Sequence, residues 1–431
     1  VTAATETPHL PDPSPIVLEK VEVRSWKVPI ALSVFALGAV VLFIAFARSG
    51  HTTFRFTQSV DAIKLPDLTV PSAPVSIALA IVAVLMAAAS WWYVAARGRV
   101  PGWFAAVFAV VFLVGFLDWA AEGDRPLPFT SLLLGAVTLS VPLVFGALGG
   151  VIGERAGVVN VAIEGQLLAG AFCSALVASS TGSMTAGLVA AAAAGVLVAF
   201  ILAAFAIKYL VDQVIVGVVI NVLVTGLTNF GYSKVLAADP EHLNRRMTLP
   251  DLPIPGLAQI PVIGPVLFDH SIIVYIAYVA VAAVWYGLFH TRWGLRVRAV
   301  GEHPQAADTV GINVNGTRFW NVSLAGAVAG LGGAFFTLGS VGIFTKEMTA
   351  GQGYIALAAV IFGRWDPIRA TLAALLFGFA SNLQNTLGII GSPVPSEFLL
   401  MLPYLVTIFA VAGLVGKSRA PAADGVPYVK G

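Results

Sequence analysis

The chain has 431 residues, of which 58% are hydrophobic and 11% charged, with a mean hydropathy of +0.90 and a formal net charge of +2. Soluble domains are about 45–50% apolar and about 25% charged, so this composition excludes a soluble globular protein and predicts an integral membrane protein. So small a net charge makes no electrostatic case for nucleic acid. The single cysteine, Cys173, sits in an apolar run and excludes a disulfide framework or a cysteine metal cluster.

The opening "VTAATETPHLPDPSP" is polar and proline-rich and lacks the basic-then-apolar order of a cleaved signal, so residues 1–27 read as a flexible cytoplasmic tail. A crossing needs about 20 apolar residues to span a hydrocarbon core about 30 Å thick. Runs of that kind occupy 28–47, 75–97 and 102–120, then 130–152, 156–180, 186–207, 212–236, 271–290, 318–343, 368–388 and 398–416. A shorter run, 352–363, beside the glycine-rich "TAGQGY", suits a half-helix or a broken crossing. The expected fold is all-α, a polytopic membrane helical bundle of about 11–12 apolar segments, some broken or re-entrant.

Lysine and arginine mark cytoplasmic loops. Lys20, Arg24 and Lys27 precede the first run, Arg97 and Arg99 follow the second, and Lys208 follows the sixth. Arg292, Arg296 and Arg298 follow the eighth, and Lys417 and Arg419 the last. If 352–363 crosses, both termini are cytoplasmic. Basic residues in the loops 48–74 and 235–270 fall outside, against the rule. "GALGGVIG" (146–153) and "AGAVAGLGGAF" (325–335) carry the spacings Gly149/Gly153 and Gly326/Gly330, which favour close helix packing over a hinge.

Charge gathers in one place, "HTRWGLRVRAVGEHPQAADTVGI" (290–312). Pro304 suits a first helical position and Gly311 a position just past a helix end, so a short helix is expected between them. Ala306, Ala307 and Val310 share one of its faces. A helix this short is not stable alone. It is either a solvated connector or an apolar face for a groove on another protein.

Three blocks resemble a known family. They are "GGVIGERAGVVNVAIEGQLLAGAF" (149–172), "GLRVRAVGEHPQAADTVGINV" (294–314) and "MTAGQGYIALAAVIFGRWDPIRATLAALLFGFASNLQ" (348–384). In this order they resemble the ribose- and nucleoside-type branch of bacterial ABC importer permeases, in particular the second permease of the nucleoside type. The resemblance implies a permease core over 130–416, with a cytoplasmic coupling loop at 291–316. It leaves 28–129 as an N-terminal extension with three spans and 417–431 as a cytoplasmic tail. It also implies that Glu302, His303, Pro304, Ala306, Ala307, Val310 and Gly311 dock on an ATP-hydrolysing subunit. His303 stands where the family usually has asparagine.

The implied partners are a second permease subunit, the cytoplasmic ATP-binding subunit, an extracytoplasmic substrate-binding lipoprotein and the lipid of a bacterial inner membrane. ATP and magnesium belong to the ATPase, so no cofactor is expected on this chain and it is not an enzyme. The implied cargo is a nucleoside or a related sugar-containing solute.

Charges within a span cost about 2.5–3.5 kcal/mol, so each needs an account. Glu154 and Arg155 suit a cytoplasmic boundary or a turn between helices. Asn160 and Glu164, four apart, either brace a bend or line the pathway. Asp212 suits a helix start. Asn221, Thr225 and Asn229 form a polar stripe that either meets the ribose hydroxyls or base of a cargo or joins helices. Asn382, with Ser381 and Gln384, forms a second polar patch.

An ion-coupled secondary carrier is the alternative. It calls for paired ionisable groups at mid-membrane, whereas Asp118, Glu164 and Asp212 are dispersed along the sequence. The six histidines fall mostly in tails and loops and suggest no catalytic set or metal site. "VAGLVGKS" (411–418) has Val411 where a phosphate-binding loop requires glycine.

Overall fold

Apolar runs with no water to bond their backbone must satisfy their polar groups internally, and helices do so. A computed structural model describes residues 25–58, 63–98, 100–392, 394–395, 397–399, 401 and 419–430. The expected crossing at 398–416 and the tail before residue 25 therefore lie almost wholly outside the described residues.

The chain opens with α1 (Lys27–Val40), prolonged by a π-helical turn to Ala45. Strands β1 (His51–Arg55) and β2 (Leu68–Pro71) follow, then α2 (Ser72–Arg97), α3 (Gly102–Ala120) and β3 (Leu127–Pro128). Next come α4 (Phe129–Arg155), α5 (Ile163–Thr181), α6 (Met184–Ala203) and α7 (Gln213–Gly231). Two short helices, α8 (Pro240–Leu243) and α9 (Ile263–Phe268), lead to α10 (Ile272–His290). The second half comprises α11 (Arg292–Glu302), α12 (Pro304–Thr309), α13 (Val314–Ala334), α14 (Gln352–Phe362) and α15 (Pro367–Ile390). Among the described residues, ten helices are long and apolar enough to cross a membrane. The chain is a multi-pass helical membrane protein.

Three details depart from the sequence reading. The run expected at 156–180 becomes helical only at Ile163, because Ala156–Ala162 turn back toward the bundle and Gly157 takes a left-handed φ of +86°. The loop 48–74 contains strands: β1 pairs antiparallel with β2, His51 opposite Pro71, and parallel with β3, Phe54 opposite Leu127. The charged stretch holds two helices, α11 and α12, where one was expected.

Helix α13 lies against α4, α5 and α6, and small residues set the spacing. A Cβ on Gly195 would collide with the Gly326 carbonyl, and one on Gly330 with the Ala191 carbonyl. One on Gly170 would strike the Gly330 carbonyl, and one on Gly149 would stand 2.7 Å from the Ala325 oxygen. In a bilayer such close backbone approach replaces the hydrophobic drive that water supplies elsewhere.

Helices α1–α3 have an apolar core of their own, built on Leu32, Ala36, Phe43, Ala80, Phe104 and Phe108. Phe54, Leu117, Leu127, Leu132, Leu383 and Leu387 pack together and join that group to α4 and α15. Arg125 donates to the Ile389 carbonyl at 2.8 Å beside this cluster. The sheet therefore clasps the ends of α4 and α15 opposite the Arg155 end. The Trp26 and Trp91 rings lie 5.4 Å apart, placing the start of α1 beside the end of α2, the end away from the sheet.

Gly195→Leu should force α6 and α13 apart and abolish accumulation of folded protein in the membrane. Gly226→Leu, where a Cβ meets nothing within 4 Å, should accumulate normally. Membrane yield and monodispersity after detergent extraction measure the difference.

Candidate functional site

After α13 and its π-helical extension, the chain turns at Gly342, left-handed at φ +88°, and runs without helix until α14 begins at Gln352. The eleven residues of α14 rise about 16 Å, half of a hydrocarbon core about 30 Å thick. Non-helical chain at that depth must find partners within the protein. Asn244 supplies two: the Phe344 N–H donates to its Oδ1 at 2.8 Å, and its Nδ2 donates to the Phe344 carbonyl at 3.0 Å. The buried Phe344 ring packs edge-on against Phe172.

Glu347 and Ala350 are left-handed, at φ +55° and +46°. Such backbone costs about 1–3 kcal/mol per residue and persists only where surroundings hold it.

Glu164 provides that hold. Its Oε1 accepts from the Thr349 hydroxyl at 2.6 Å and the Gly351 N–H at 2.9 Å, and its Oε2 accepts from the Gly353 N–H at 2.6 Å. A carboxylate at a helix start satisfies orphan N–H groups and opposes the positive end of the dipole. A Cβ on Gly353 would collide with the Glu164 backbone, so glycine there permits the approach.

Around Glu164 the structure gathers part of the expected set. Asn221 accepts from the Gly165 N–H at 2.8 Å and donates to the Val161 carbonyl at 2.9 Å and to the Tyr354 hydroxyl at 3.2 Å. Asn160 and Gln166, both buried, exchange reciprocal amide hydrogen bonds of 3.1 Å. Further along α7, the Thr225 carbonyl accepts from the Thr228 hydroxyl at 3.2 Å, and Asn229 donates to Glu347 Oε1 at 3.0 Å. Asn382 stands apart and donates to the Leu132 carbonyl at 2.8 Å, tying α15 to α4. Sequence reasoning missed Tyr354, 48% exposed, and the exposed Glu347. The available signal was an acid and a tyrosine flanking a glycine-rich break inside an apolar region.

The other isolated carboxylates have local roles. Asp212 caps α7 by accepting from the Val214 N–H at 2.9 Å and the Ile215 N–H at 3.1 Å. Asp118, on α3, accepts from the Ser72 hydroxyl at 3.3 Å.

On the face where α4 ends, the charged stretch forms the helix pair α11 and α12. The Thr291 hydroxyl caps α11 by accepting from the Gly294 N–H at 3.2 Å. Gly301 lies directly on the Arg155 carbonyl, with no room for a Cβ. Pro304 opens α12 and Gly311, at φ +84°, closes it. Its apolar residues do not share one surface: Ala307 is buried at 3% exposure, Ala306 is exposed, and Val310 is 74% exposed. Glu302 and His303 are also exposed. Arg155 Nε donates to the Trp365 carbonyl at 2.9 Å, and the Trp365 indole N–H donates to Glu154. Helix α11 thus rests on the residues that hold the far end of α14.

Residues 419–430 return to this face. Arg318, 2% exposed, donates to the Val426 carbonyl at 2.8 Å and the Ala423 carbonyl at 3.4 Å. Burial pushes the Asp424 carboxyl up to about 7, although Arg318 and the Gly425 N–H draw it down.

Among the described residues no group of three or more His, Cys, Asp or Glu side chains could hold a metal ion. Residues 132–411 match the family described as branched-chain amino acid transport system / permease component. The chain is 43% identical over 305 residues to the guanosine ABC transporter permease protein NupQ of Bacillus subtilis, covering 68% of this chain and 94% of NupQ. It is 41% identical over 300 residues to the nucleoside ABC transporter permease protein NupC of Lactococcus lactis, covering 68% of this chain and 94% of NupC. Identity falls to 24% over 296 residues with a second Bacillus subtilis guanosine permease protein, NupP, covering 66% of this chain and 83% of NupP. No solved structure matches the chain. The interrupted crossing and helices α11 and α12 all lie within the matched residues, and the chain belongs to this family of ABC transporter permease components.

Proposed function

We propose that the solute this permease imports is a nucleoside. The observation that carries the reading is 43% identity across 94% of a guanosine permease protein. The open face beside the interrupted crossing supports it. There Tyr354 offers a ring on which a base can stack, while Asn229 and Glu347 offer amide and carboxylate partners for ribose hydroxyls. Thr225 lies one turn before Asn229 on the same helix face. Asn160, Glu164 and Asn221 hold the wall from behind, since each is engaged with backbone or a neighbouring side chain, whereas Asn382 serves α15 and α4 apart from it.

A second, different permease subunit faces this surface and completes the pathway. The two Bacillus subtilis guanosine permease proteins, related to this chain at 43% and 24% identity, support a pair of unlike subunits. The cytoplasmic ATPase, which holds ATP and magnesium, docks on the outward side of α12 at Glu302, His303, Ala306 and Val310. Pro304 and Gly311 set the ends of that helix, and Ala307 seats it on the permease. An extracytoplasmic lipoprotein delivers the solute. The membrane is a bacterial inner membrane, with both termini on the cytoplasmic side.

Proteoliposomes holding this chain, the second permease, the ATPase and the lipoprotein should accumulate guanosine only with ATP. Uptake that persists without the ATPase would contradict the reading. Ala306→Asp with Val310→Asp should abolish co-purification of the ATPase while leaving the permease in the membrane. Tyr354→Ala should lower guanosine uptake at least about fivefold, since base stacking on an aromatic ring is worth about 1–3 kcal/mol. Uptake of free ribose by the wild type, undiminished by excess guanosine, would redirect the assignment to sugars.

A further inference from the structure

The segment 419–430 was expected to be a plain cytoplasmic tail, yet it is fastened at several points. Its Ala423 N–H donates to the Gly301 carbonyl at 2.9 Å, and its Ala422 N–H donates to Glu302 at 3.2 Å, both at the end of α11. Tyr428 is buried with Val300, Ala307 and Val314, so it forms part of the inner packing of α12. Lys430 lies 3.8 Å from Asp308, an exposed pair that adds little. A Cβ on Gly425 would stand 3.3 Å from the Val159 side chain, and one on Gly157 3.1 Å from the Ala423 carbonyl, so the segment runs close over the turn between α4 and α5.

The segment therefore bridges two bodies, the lever formed by α11 and α12 and the turn that leads to Glu164. Its fastening is Arg318 on the second turn of α13, whose buried guanidinium donates from both terminal nitrogens to strap carbonyls and interacts with the strap's Asp424. A buried guanidinium is costly unless its donors are used. Removing the strap deprives Arg318 of these acceptors and of Asp424, and leaves α12, six residues long, without part of its support. A helix of that length does not hold its position unaided.

We propose that residues 420–430 form a strap that makes the coupling helix move as one body with the membrane core, and that Arg318 is the positioning residue that fastens it. The proposal rests on the reading of α12 as the ATPase-docking element. ATP hydrolysis then drives uptake in proportion only while the strap is fastened. Without it the ATPase still docks on Ala306 and Val310, and its closure tilts α12 without carrying the core along.

The test uses the complete transporter in proteoliposomes and reads ATPase co-purification, ATP hydrolysis and guanosine uptake in parallel. Two variants are compared with the wild type: Arg318→Gln, and deletion of residues 420–431. Both should retain the ATPase and hydrolyse ATP, with uptake per ATP reduced at least fivefold. In a Cys173→Ser background, Asp308→Cys with Lys430→Cys, joined by a thiol crosslinker, should restore coupling to Arg318→Gln. Unchanged uptake per ATP in both variants overturns the proposal. So does joint loss of ATPase capture and uptake that the crosslink fails to restore, because the strap would then be a folding element alone. Failure of the wild type to capture any ATPase would instead overturn the docking reading.

Discussion

A membrane crossing that breaks its helix must replace every backbone partner it gives up, and here one carboxylate supplies the replacement. Glu164 accepts three hydrogen bonds from the residues that start α14. Neighbouring geometry exists to place it there. Ala156–Ala162 turn back so that α5 begins within the bundle, Asn221 pins the start of α5, and Gly353 lets the two helix ends touch. Strain at Ala350 is tolerated because these bonds hold Thr349 and Gly351 on either side of it, while Asn229 holds the Glu347 side chain.

The same segment ties the interrupted crossing to the charged helix pair. The far end of α14 is held by Glu154 and Arg155 through Trp365, and the Arg155 carbonyl is the surface on which Gly301 of α11 rests. Packed side chains and hydrogen bonds therefore run continuously from α11 on one face to the interrupted crossing. Rigid elements with close-packed contacts pass on displacement because interiors so packed do not deform continuously.

Much of this was legible in the sequence because its signals are local. Ten runs of apolar residues became helices, since length and hydropathy decide a crossing. Pro304 and Gly311 bounded α12, and Asp212 capped α7. The glycine-rich flank of 352–363 announced the broken crossing. What escaped depends on contacts distant in sequence. The sheet at 51–71 pairs with Leu127 and Pro128, a partner that no local pattern announces. Ala307 separated from Ala306 and Val310 because Tyr428, far along the chain, covers one side of α12. Spacing placed Asn160 and Glu164 on one face, but the fold turns one to Gln166 and the other to α14.

Hydrogen exchange at the Gly351 and Gly353 amides, measured on the assembled transporter with Glu164 intact and replaced by alanine, reports on the central interaction most directly. Hydrogen bonds to a charged acceptor contribute about 1.5–3 kcal/mol each, so the substitution should speed exchange at these two amides about a hundredfold. Amides in the middle of α4 and α13 should keep their protection. Equal exchange at Gly351 and Gly353 in the two proteins would contradict the account, because the broken crossing would then be held by something other than this carboxylate.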